Sequence, residues 1–434
     1  MIRNYLRQAL NMMRQNPLFS TIYIVGTGLS IAFAMTLFII FYIKLGPVCP
    51  EYNRNRTIFL DNIYCVVRNG DSYSAHHSDA SKFLLEKFAA IEGVEAVSAY
   101  VGKANYSFTV NDLDECIGRF VNNGYWRLYE YDFLSGQPFG EADANSQVVI
   151  ISDDFARALF ATTDVIGKEI NINNTRNRIV GVIKNVSGIT PESYSQLWLP
   201  IAHPLCDEKD ENQIAGSYKT QILCSSADDK PKVIAQMKSI IYRLAQEGPE
   251  NELYAPTINE HWAQALDMNK KINVLVSEAD VADEVTFFDA ISKYLYVLIA
   301  LLFIPALNLS GMIASRMTGR MDEIGVRKAF GATNGNVILQ VLCENLLLTA
   351  LGALLGLLLS FLLTSGAGDW IVTLFDKRVN TSAPNKVVTF EMLFNPTIIA
   401  VTMLLTLLLN LMAAIIPTFS ALRKSITYSL YNKR

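Results

Sequence analysis

The residues best suited to bind a partner lie at positions 323–332, in the run EIGVRKAFGA. Glu323 and Arg327 are four residues apart, a spacing at which an acid followed by a base stabilises a helix. Arg327 and Lys328 can contact acidic groups on another protein, and Gly331 lets the chain turn out of the helix. This pattern predicts a charged docking helix. The alternative is a surface helix held by anionic lipid headgroups.

No other pattern in the sequence indicates catalysis. There is no G-x-x-x-x-G-K-[ST] phosphate loop and no H-E-x-x-H motif. The four histidines include one adjacent pair, His76 and His77, but neighbours in sequence point to different faces of regular structure. No two cysteines have metal-ligand spacing, and we interpret the six as small buried apolar residues. We therefore expect no enzyme active site, no cofactor and no metal.

Four long apolar segments predict a membrane protein. The first has 26 consecutive uncharged residues, and about 20 helical residues cross a bilayer. The predicted transmembrane helices are residues 18–43, 295–314, 337–363 and 397–416. The predicted fold is thus an α-helical membrane protein with four transmembrane helices and a large mixed α/β extracytoplasmic domain between the first and the second.

The basic residues predict the orientation. Residues 1–17, 315–336 and 417–434 hold basic clusters, so the positive-inside rule places all three, and both termini, in the cytoplasm. Residues 44–294 and the loop at 364–396 are then outside. Positions 45–293 hold 22 Lys and Arg and 35 Asp and Glu, a net charge of −13. The rest of the chain has a net charge of +9, and the two together give the total of −4. Basic residues close to the membrane favour lipid over nucleic acid as counter-charge.

Polar and small residues within the spans predict contacts between helices. Asn308 follows Pro305 in the second span, which favours packing inside a bundle. Glu344 lies early in the third span and either pairs with a neighbouring helix or stays at the interface. Gly352 and Gly356 form a small-residue face suited to close helix packing, although glycine is also common in spanning helices for other reasons.

The outside domain has the alternating signals of a mixed α/β fold. Strand-like runs occur at 57–67, 147–151, 178–183, 218–224 and 272–276. Apolar residues recur at helical spacing in 83–91 and 233–244. Strands that alternate with helices of this length predict layered α/β units.

The run at 323–332, with LCENLLL at 342–348 and GALLG at 352–356, resembles the FtsX-like permease domain of MacB-type ABC transporters. The outside domain is similar to the MacB-type periplasmic core domain in the segments GVEAVS at 93–98, VVIIS at 148–152, IGK at 166–168 and VGVI at 180–183. The resemblance implies that the coupling residues for an ATPase are Glu323, Gly325, Arg327, Lys328, Gly331 and Ala332.

The resemblance also implies a mechanical permease. MacB carries its own ATPase, whereas this sequence has no phosphate loop. The implied ATPase is therefore a separate subunit, which would push on residues 315–336 and so move the outside domain. Implied partners are a second permease as homodimer or heterodimer, a membrane-fusion protein, an outer-membrane channel and inner-membrane lipid. Efflux or extraction of a drug, peptide or lipoprotein is the expected function. The alternative is a non-transporting FtsX-like regulator of an envelope hydrolase.

Overall fold

The structure of the 434-residue chain is a computed structural model. It describes residues 13–15, 17–69, 72–101, 107–110, 113–140, 143, 146–186, 190, 192–207, 210, 212–248, 252–260, 263 and 333–375, with scattered positions in 288–331 and 396–419. The chain divides into two compact units. The membrane unit comprises Met1–Tyr42, Ile291–Val372 and Val388–Arg434, and the outside unit comprises Ile43–Ala290 and Thr373–Val387.

The described residues include six α-helices: α1 (Pro17–Leu45), α2 (Lys82–Ala89), α3 (Asn123–Leu128), α4 (Asp153–Phe160), α5 (Lys230–Glu247) and α6 (Asn334–Phe375). Two of them are long and apolar enough to cross a membrane, over Ser20–Leu45 and Val341–Thr364. These stretches fall on the first and third predicted spans. The second and fourth predicted spans lie largely outside the described residues.

The described part of the outside unit has thirteen strands: β1 (Thr57–Asn69), β2 (Ser72–Ala80), β3 (Val94–Val101), β4 (Ser107–Val110), β5 (Leu113–Val121), β6 (Phe133–Gly136), β7 (Val148–Ser152), β8 (Glu169–Ile172), β9 (Thr175–Ile183), β10 (Leu197–Pro200), β11 (Ala215–Gly216), β12 (Lys219–Cys224) and β13 (Glu252–Glu260). The predicted strands at 57–67, 147–151, 178–183 and 218–224 agree with β1, β7, β9 and β12. The predicted strand at 272–276 lies outside the described residues.

Six of these strands close into a small barrel. They pair in the order β10, β7, β9, β8, β4, β5, and β10 pairs with β5 in parallel to complete the ring. Apolar side chains fill the inside, including Phe108, Phe120, Ile151, Ile179 and Leu197. Gly118 makes room for this packing, because a Cβ there would lie 2.3 Å from Leu197 Cδ1. Closure pairs the edges that an open sheet would expose.

The rest of the outside unit is a sheet covered by helices. β1 pairs with β12 through its first residues, with β2 through its later ones, and with β13 along its other edge. Helices α2 and α5 pack on this sheet with Leu84, Phe88, Val233, Met237 and Ile241, all fully buried. Layered α/β packing therefore describes this half of the outside unit. It does not describe the barrel, which the strand signals alone did not indicate.

Candidate functional site

Most of the predicted coupling segment lies outside the described residues: Glu323, Gly325, Arg327, Lys328 and Ala332. Asn308 also lies outside them. The structure does describe the end of the segment. The Phe330 N–H donates to the Val326 carbonyl oxygen at 3.1 Å, a helical turn, and Gly331 follows with φ of +92°. A glycine adopts this left-handed conformation without strain, so the turn before α6 suits Gly331.

Phe330 is a feature of this segment that sequence reasoning missed. Its side chain is 89% exposed, next to the turn at Gly331. A large exposed aromatic ring is typical of a contact surface because its burial on binding is strongly favourable. The phenylalanine is evident in the sequence, but the prediction for this segment rested on the charged residues Arg327 and Lys328.

Helices α1 and α6 approach closely at three glycines. A Cβ on Gly356 would lie 2.7 Å from the Gly28 carbonyl oxygen, and one on Gly352 would lie 3.0 Å from Thr27 Cβ. A Cβ on Gly28 would in turn lie 3.1 Å from the Gly352 carbonyl oxygen. The structure thus places Gly352 and Gly356 against α1. Sequence reasoning missed their counterpart, Gly28.

The same face of α1 and α6 carries a hydrogen bond and a small apolar cluster. The hydroxyl oxygens of Tyr23 and Thr349 are 3.0 Å apart. Ile31, Met35 and Ala353 are buried together. Other faces of the two helices expose Leu18, Ile22, Val25, Leu29 and Phe33 on α1, and Leu346, Leu354, Leu358 and Leu362 on α6. Exposed leucine and aromatic surface of this kind suits lipid.

Glu344 lies within α6, as predicted for the third span. Its side chain is outside what the structure describes. The adjacent Asn345 is buried, with 5% of its surface exposed. Whether Glu344 pairs with another helix or stays at the interface remains a prediction.

A buried ion pair holds the end of α1. Arg54 Nη1 donates to the carbonyl oxygens of Ile43 at 2.6 Å and Gly46 at 2.5 Å, and its Nε donates to Glu51 Oε2 at 2.8 Å. Glu51 Oε1 accepts from the Ser193 hydroxyl at 2.6 Å. The bond to Ile43 satisfies a carbonyl group that the helix end leaves without an intrahelical partner, and a cation is favourable at that end. We call Glu51, Arg54 and Ser193 the α1 anchor.

The segment after α1 is also fastened to the end of α3. Asn53 Nδ2 donates to the Leu128 carbonyl oxygen at 3.1 Å and to Glu130 Oε1 at 3.0 Å. The Glu130 N–H donates to the Pro50 carbonyl oxygen at 2.9 Å. Sequence analysis did not identify Glu51 and Arg54, because a charged side chain just beyond a predicted span is expected to extend into water.

A second buried network lies deeper in the outside unit. Arg119 donates to the carbonyl oxygens of Tyr194 at 3.1 Å and Glu192 at 2.8 Å, and its guanidinium lies 4.7 Å from the ring centre of Tyr100. The Tyr100 hydroxyl donates to the Glu192 carboxylate. Burial, and then the nearby Glu192 charge, raise the pKa of Tyr100 well above its usual range, so the phenol stays a neutral donor. Because these groups satisfy one another, the network is a structural core.

The described residues contain no group of three His, Cys, Asp or Glu side chains that could hold a metal ion. His203, which is buried, instead uses both ring nitrogens. Its Nε2 lies 2.6 Å from Asn177 Oδ1, and its Nδ1 accepts from the Leu205 N–H at 3.1 Å. Nε2 therefore carries the proton. No two of the six cysteines form a disulfide; Cys65, Cys116 and Cys224 are buried as expected, whereas Cys49, Cys206 and Cys343 are only partly buried.

Two family models match the chain. The MacB-like periplasmic core domain matches residues 20–240, and the FtsX-like permease C-terminal domain matches residues 295–426. The first covers half of the chain and includes α1 from residue 20 onward and most of the outside unit. The second includes residues 323–332 and α6.

Curated relatives agree with these matches. The chain is 26% identical over 290 residues to the uncharacterized ABC transporter permease YknZ of Bacillus subtilis (strain 168), covering 64% of this chain and 65% of that protein. It is 26% identical over 389 residues to the macrolide export ATP-binding/permease protein MacB of Sodalis glossinidius (strain morsitans), covering 85% of this chain and 54% of that protein. The chain thus spans less than two thirds of the length of each.

Among solved structures, the extracellular domain of the noncanonic ABC-type transporter YknZ from Gram-positive bacteria matches 45% of this chain and 100% of its own length. The sequence identity is 17% and the TM-score is 0.33.

Proposed function

This chain belongs to the MacB/FtsX-like family of ABC transporter permeases, and from that premise we propose that it works as a mechanical permease. A separate cytoplasmic ATPase closes on ATP and pushes on residues 323–332. The membrane helices then move the outside unit, which expels or extracts a drug, peptide or lipoprotein. The protein belongs to the inner membrane.

The observation that carries this proposal is a chain of packed contacts along two helices. α6 begins at Asn334, three residues after the turn at Gly331, and continues without a break to Phe375. It packs on α1 through Gly352 and Gly356. α1 in turn is one helix to Leu45, and its last carbonyls are held by Arg54. We propose that these contacts carry displacement from the docking segment to the outside unit.

The proposed topology has four transmembrane helices with both termini in the cytoplasm. It is supported by the basic residues in 1–17, 315–336 and 417–434, and by the two apolar helices α1 and α6. A second permease copy or paralogue, a membrane-fusion protein and an outer-membrane channel are the further proposed partners.

Phe330 adds an apolar contact to the proposed docking surface. Its exposed ring lies beside Gly331, and Arg327 and Lys328 precede it in sequence. An aromatic anchor flanked by charges is a common composition for the centre of a binding site.

The test reverses the charges of the docking segment. The double variant Arg327→Glu/Lys328→Glu should weaken co-purification with the ATPase, or uncouple ATP hydrolysis from export, because like charges would then oppose each other across the contact. Phe330→Ala should weaken the same contact by removing apolar area. Arg320→Glu, in the same predicted cytoplasmic segment but outside 323–332, is the matched control.

Each outcome separates the alternatives. If the double variant associates and exports as the wild type does, the coupling role is wrong and the segment is a lipid-bound surface helix. If the wild type stimulates its ATPase but exports nothing, the regulator of an envelope hydrolase is the better function.

A further inference from the structure

Residues 192–196 form a short segment that leads directly into the strand closing the barrel. Strand β10 begins at Leu197, and it completes the ring by pairing with β5. Ser193 and Ser195 are buried, with 0% and 2% of their surface exposed. Their hydroxyl groups therefore need partners inside the protein, and the two residues find them in different places.

Ser193 contacts the end of α1 through the α1 anchor. Its hydroxyl donates to Glu51 Oε1 at 2.6 Å, and Glu51 Oε2 accepts from Arg54 Nε at 2.8 Å. Arg54 Nη1 in turn donates to the carbonyl oxygen of Ile43, in the last turn of α1, at 2.6 Å. Hydrogen bonds to charged groups are shorter and stronger than neutral ones. Three such bonds in series therefore connect α1 to the 192–196 segment.

The other end of the segment is fixed to two barrel strands. The Gln196 N–H donates to the Ile117 carbonyl oxygen at 3.0 Å, and its side-chain Oε1 accepts from the Ile117 N–H at 2.8 Å. The Gln196 carbonyl oxygen accepts from the Ser152 N–H at 2.9 Å. Ile117 belongs to β5 and Ser152 to β7, the two strands that β10 joins. Gln196 thus extends the pairing of β10, three residues beyond Ser193.

Two connections leave the end of α1 and lead to different halves of the outside unit. The backbone continues from α1 into β1, which belongs to the sheet. The contact of Glu51 with Ser193 leads instead to the barrel, through Gln196 and β10. A displacement of α1 that the backbone alone transmits acts first on the sheet. The contact at Ser193 supplies a path to the barrel that the covalent chain does not make directly.

We propose that the hydrogen bond between Glu51 and Ser193 transmits movement of α1 to the pairing of β10 with β5, which we call the barrel seam. Ser193 is then a positioning residue for the mechanical step. The proposal rests on the proposed function in that α1 moves when the permease works, and it adds where that movement enters the barrel. The bond suits this role because it is buried, and a satisfied polar network inside a protein is rigid.

The test moves α1 without an ATPase. The apolar part of α1, Ser20–Leu45, has 26 residues, roughly 39 Å by helical rise, whereas a typical hydrocarbon core is about 30 Å thick. A helix longer than the core tilts, and its tilt changes with bilayer thickness. The full chain is therefore placed in nanodiscs of dimyristoyl-, dioleoyl- or dierucoyl-phosphatidylcholine, in order of increasing thickness. Hydrogen exchange at residues 113–121 and 197–200, measured by mass spectrometry, reports opening of the barrel seam.

In the wild type, exchange at the barrel seam should differ about threefold between the thinnest and the thickest bilayer. Ser193→Ala removes the contact but leaves Glu51 paired with Arg54, so the difference at the seam should disappear. The difference at β1, which the backbone connects to α1, should remain. Ser193→Cys retains a weaker donor of similar size and should give an intermediate difference.

Ser195→Ala is the matched control. Ser195 is buried in the same segment, but its hydroxyl donates to the Leu197 carbonyl oxygen at 2.8 Å rather than to the end of α1. Both alanine variants remove a buried hydroxyl and should lower the stability of the outside unit. Only Ser193→Ala should lose the response of the barrel seam to thickness, whereas a purely structural role of Ser193 predicts the same response in both variants.

The proposal is overturned if the barrel seam of the wild type does not respond to thickness, if Ser193→Ala responds as the wild type does, or if Ser195→Ala loses the response as well. These outcomes are independent of the proposed function, which the charge reversal at Arg327 and Lys328 tests, because no ATPase is present. If the charge reversal has no effect while the seam response depends on Ser193, the path from α1 to the barrel stands and the ATPase coupling is wrong.

Discussion

Helix α1 is held at two places by different interactions. One is its close contact with α6, and the other is the α1 anchor. In the membrane unit, three glycines let two backbones touch, and one hydroxyl pair, Tyr23 and Thr349, adds a polar contact. In the outside unit, the carbonyls at the end of α1 are held by a buried arginine. Lipid offers helices little hydrophobic reason to associate, so close approach matters there. Next to water, a buried charge needs a full set of partners.

The comparison predicts its largest effect at the anchor. Arg54→Met would remove the cation that donates to the buried Glu51 carboxylate, so we expect a loss of about 3–5 kcal/mol in the free energy of unfolding of the outside unit. Chemical denaturation of the purified chain measures this loss. The matched control is Lys232→Met, whose partner Glu92 is 85% exposed, and its change should stay within about 0.5 kcal/mol. Equal changes in the two variants would mean that the anchor does not stabilise the unit.

An intermediate effect is expected at the glycines. Gly356→Ala forces a Cβ against the Gly28 carbonyl oxygen, and we expect a loss of about 1–3 kcal/mol in the stability of the membrane unit. Gly366→Ala is the control on the same helix, because a Cβ there meets nothing within 4 Å. It should be neutral or stabilise by up to about 1 kcal/mol through helix propensity. Thermal unfolding in nanodiscs compares them. If both variants gain stability, α1 and α6 do not depend on close approach.

The smallest expected effect is a pH dependence of stability, which should appear in the outside unit and not in the membrane unit. Burial lowers the pKa of His203 below its usual 6.5, and its Nδ1 must stay unprotonated to accept from Leu205. The unfolded chain then binds the proton more readily, so the stability of the outside unit should fall as pH drops through about 6.5 toward the lower folded pKa. Unfolding of the wild type and of His203→Gln between pH 8 and 5 gives the difference, in which other titrating groups cancel. If the difference in unfolding free energy between the wild type and His203→Gln does not change with pH, His203 is not the source of the pH dependence. The contact of α1 with α6 should not respond to pH.

Local patterns were sufficient for the elements that depend on a single stretch of chain. The predicted spans at 18–43 and 337–363 agree with helices over Pro17–Leu45 and Asn334–Phe375, because sustained apolar composition and length fix such helices locally. β1, β7, β9, β12 and the helix α5 followed from residue type and periodicity in the same way. The family resemblance was also carried by short local runs, and the family matches confirm it.

The barrel shows what local patterns could not supply. Its closure depends on β10 lying beside β5, about 80 residues away in sequence and parallel to it. The strand signal is the same for an open sheet and a closed one, since only pairing distinguishes them.

Sequence by itself determined that this chain has membrane helices, an acidic mixed α/β outside domain and a charged segment before the third span. Only the tertiary structure decided which distant residues contact each other: Gly28 with Gly356, and Glu51 with Ser193. Composition and periodicity are properties of neighbours along the chain. The partner of a glycine or a buried charge is set by which segments fold against each other.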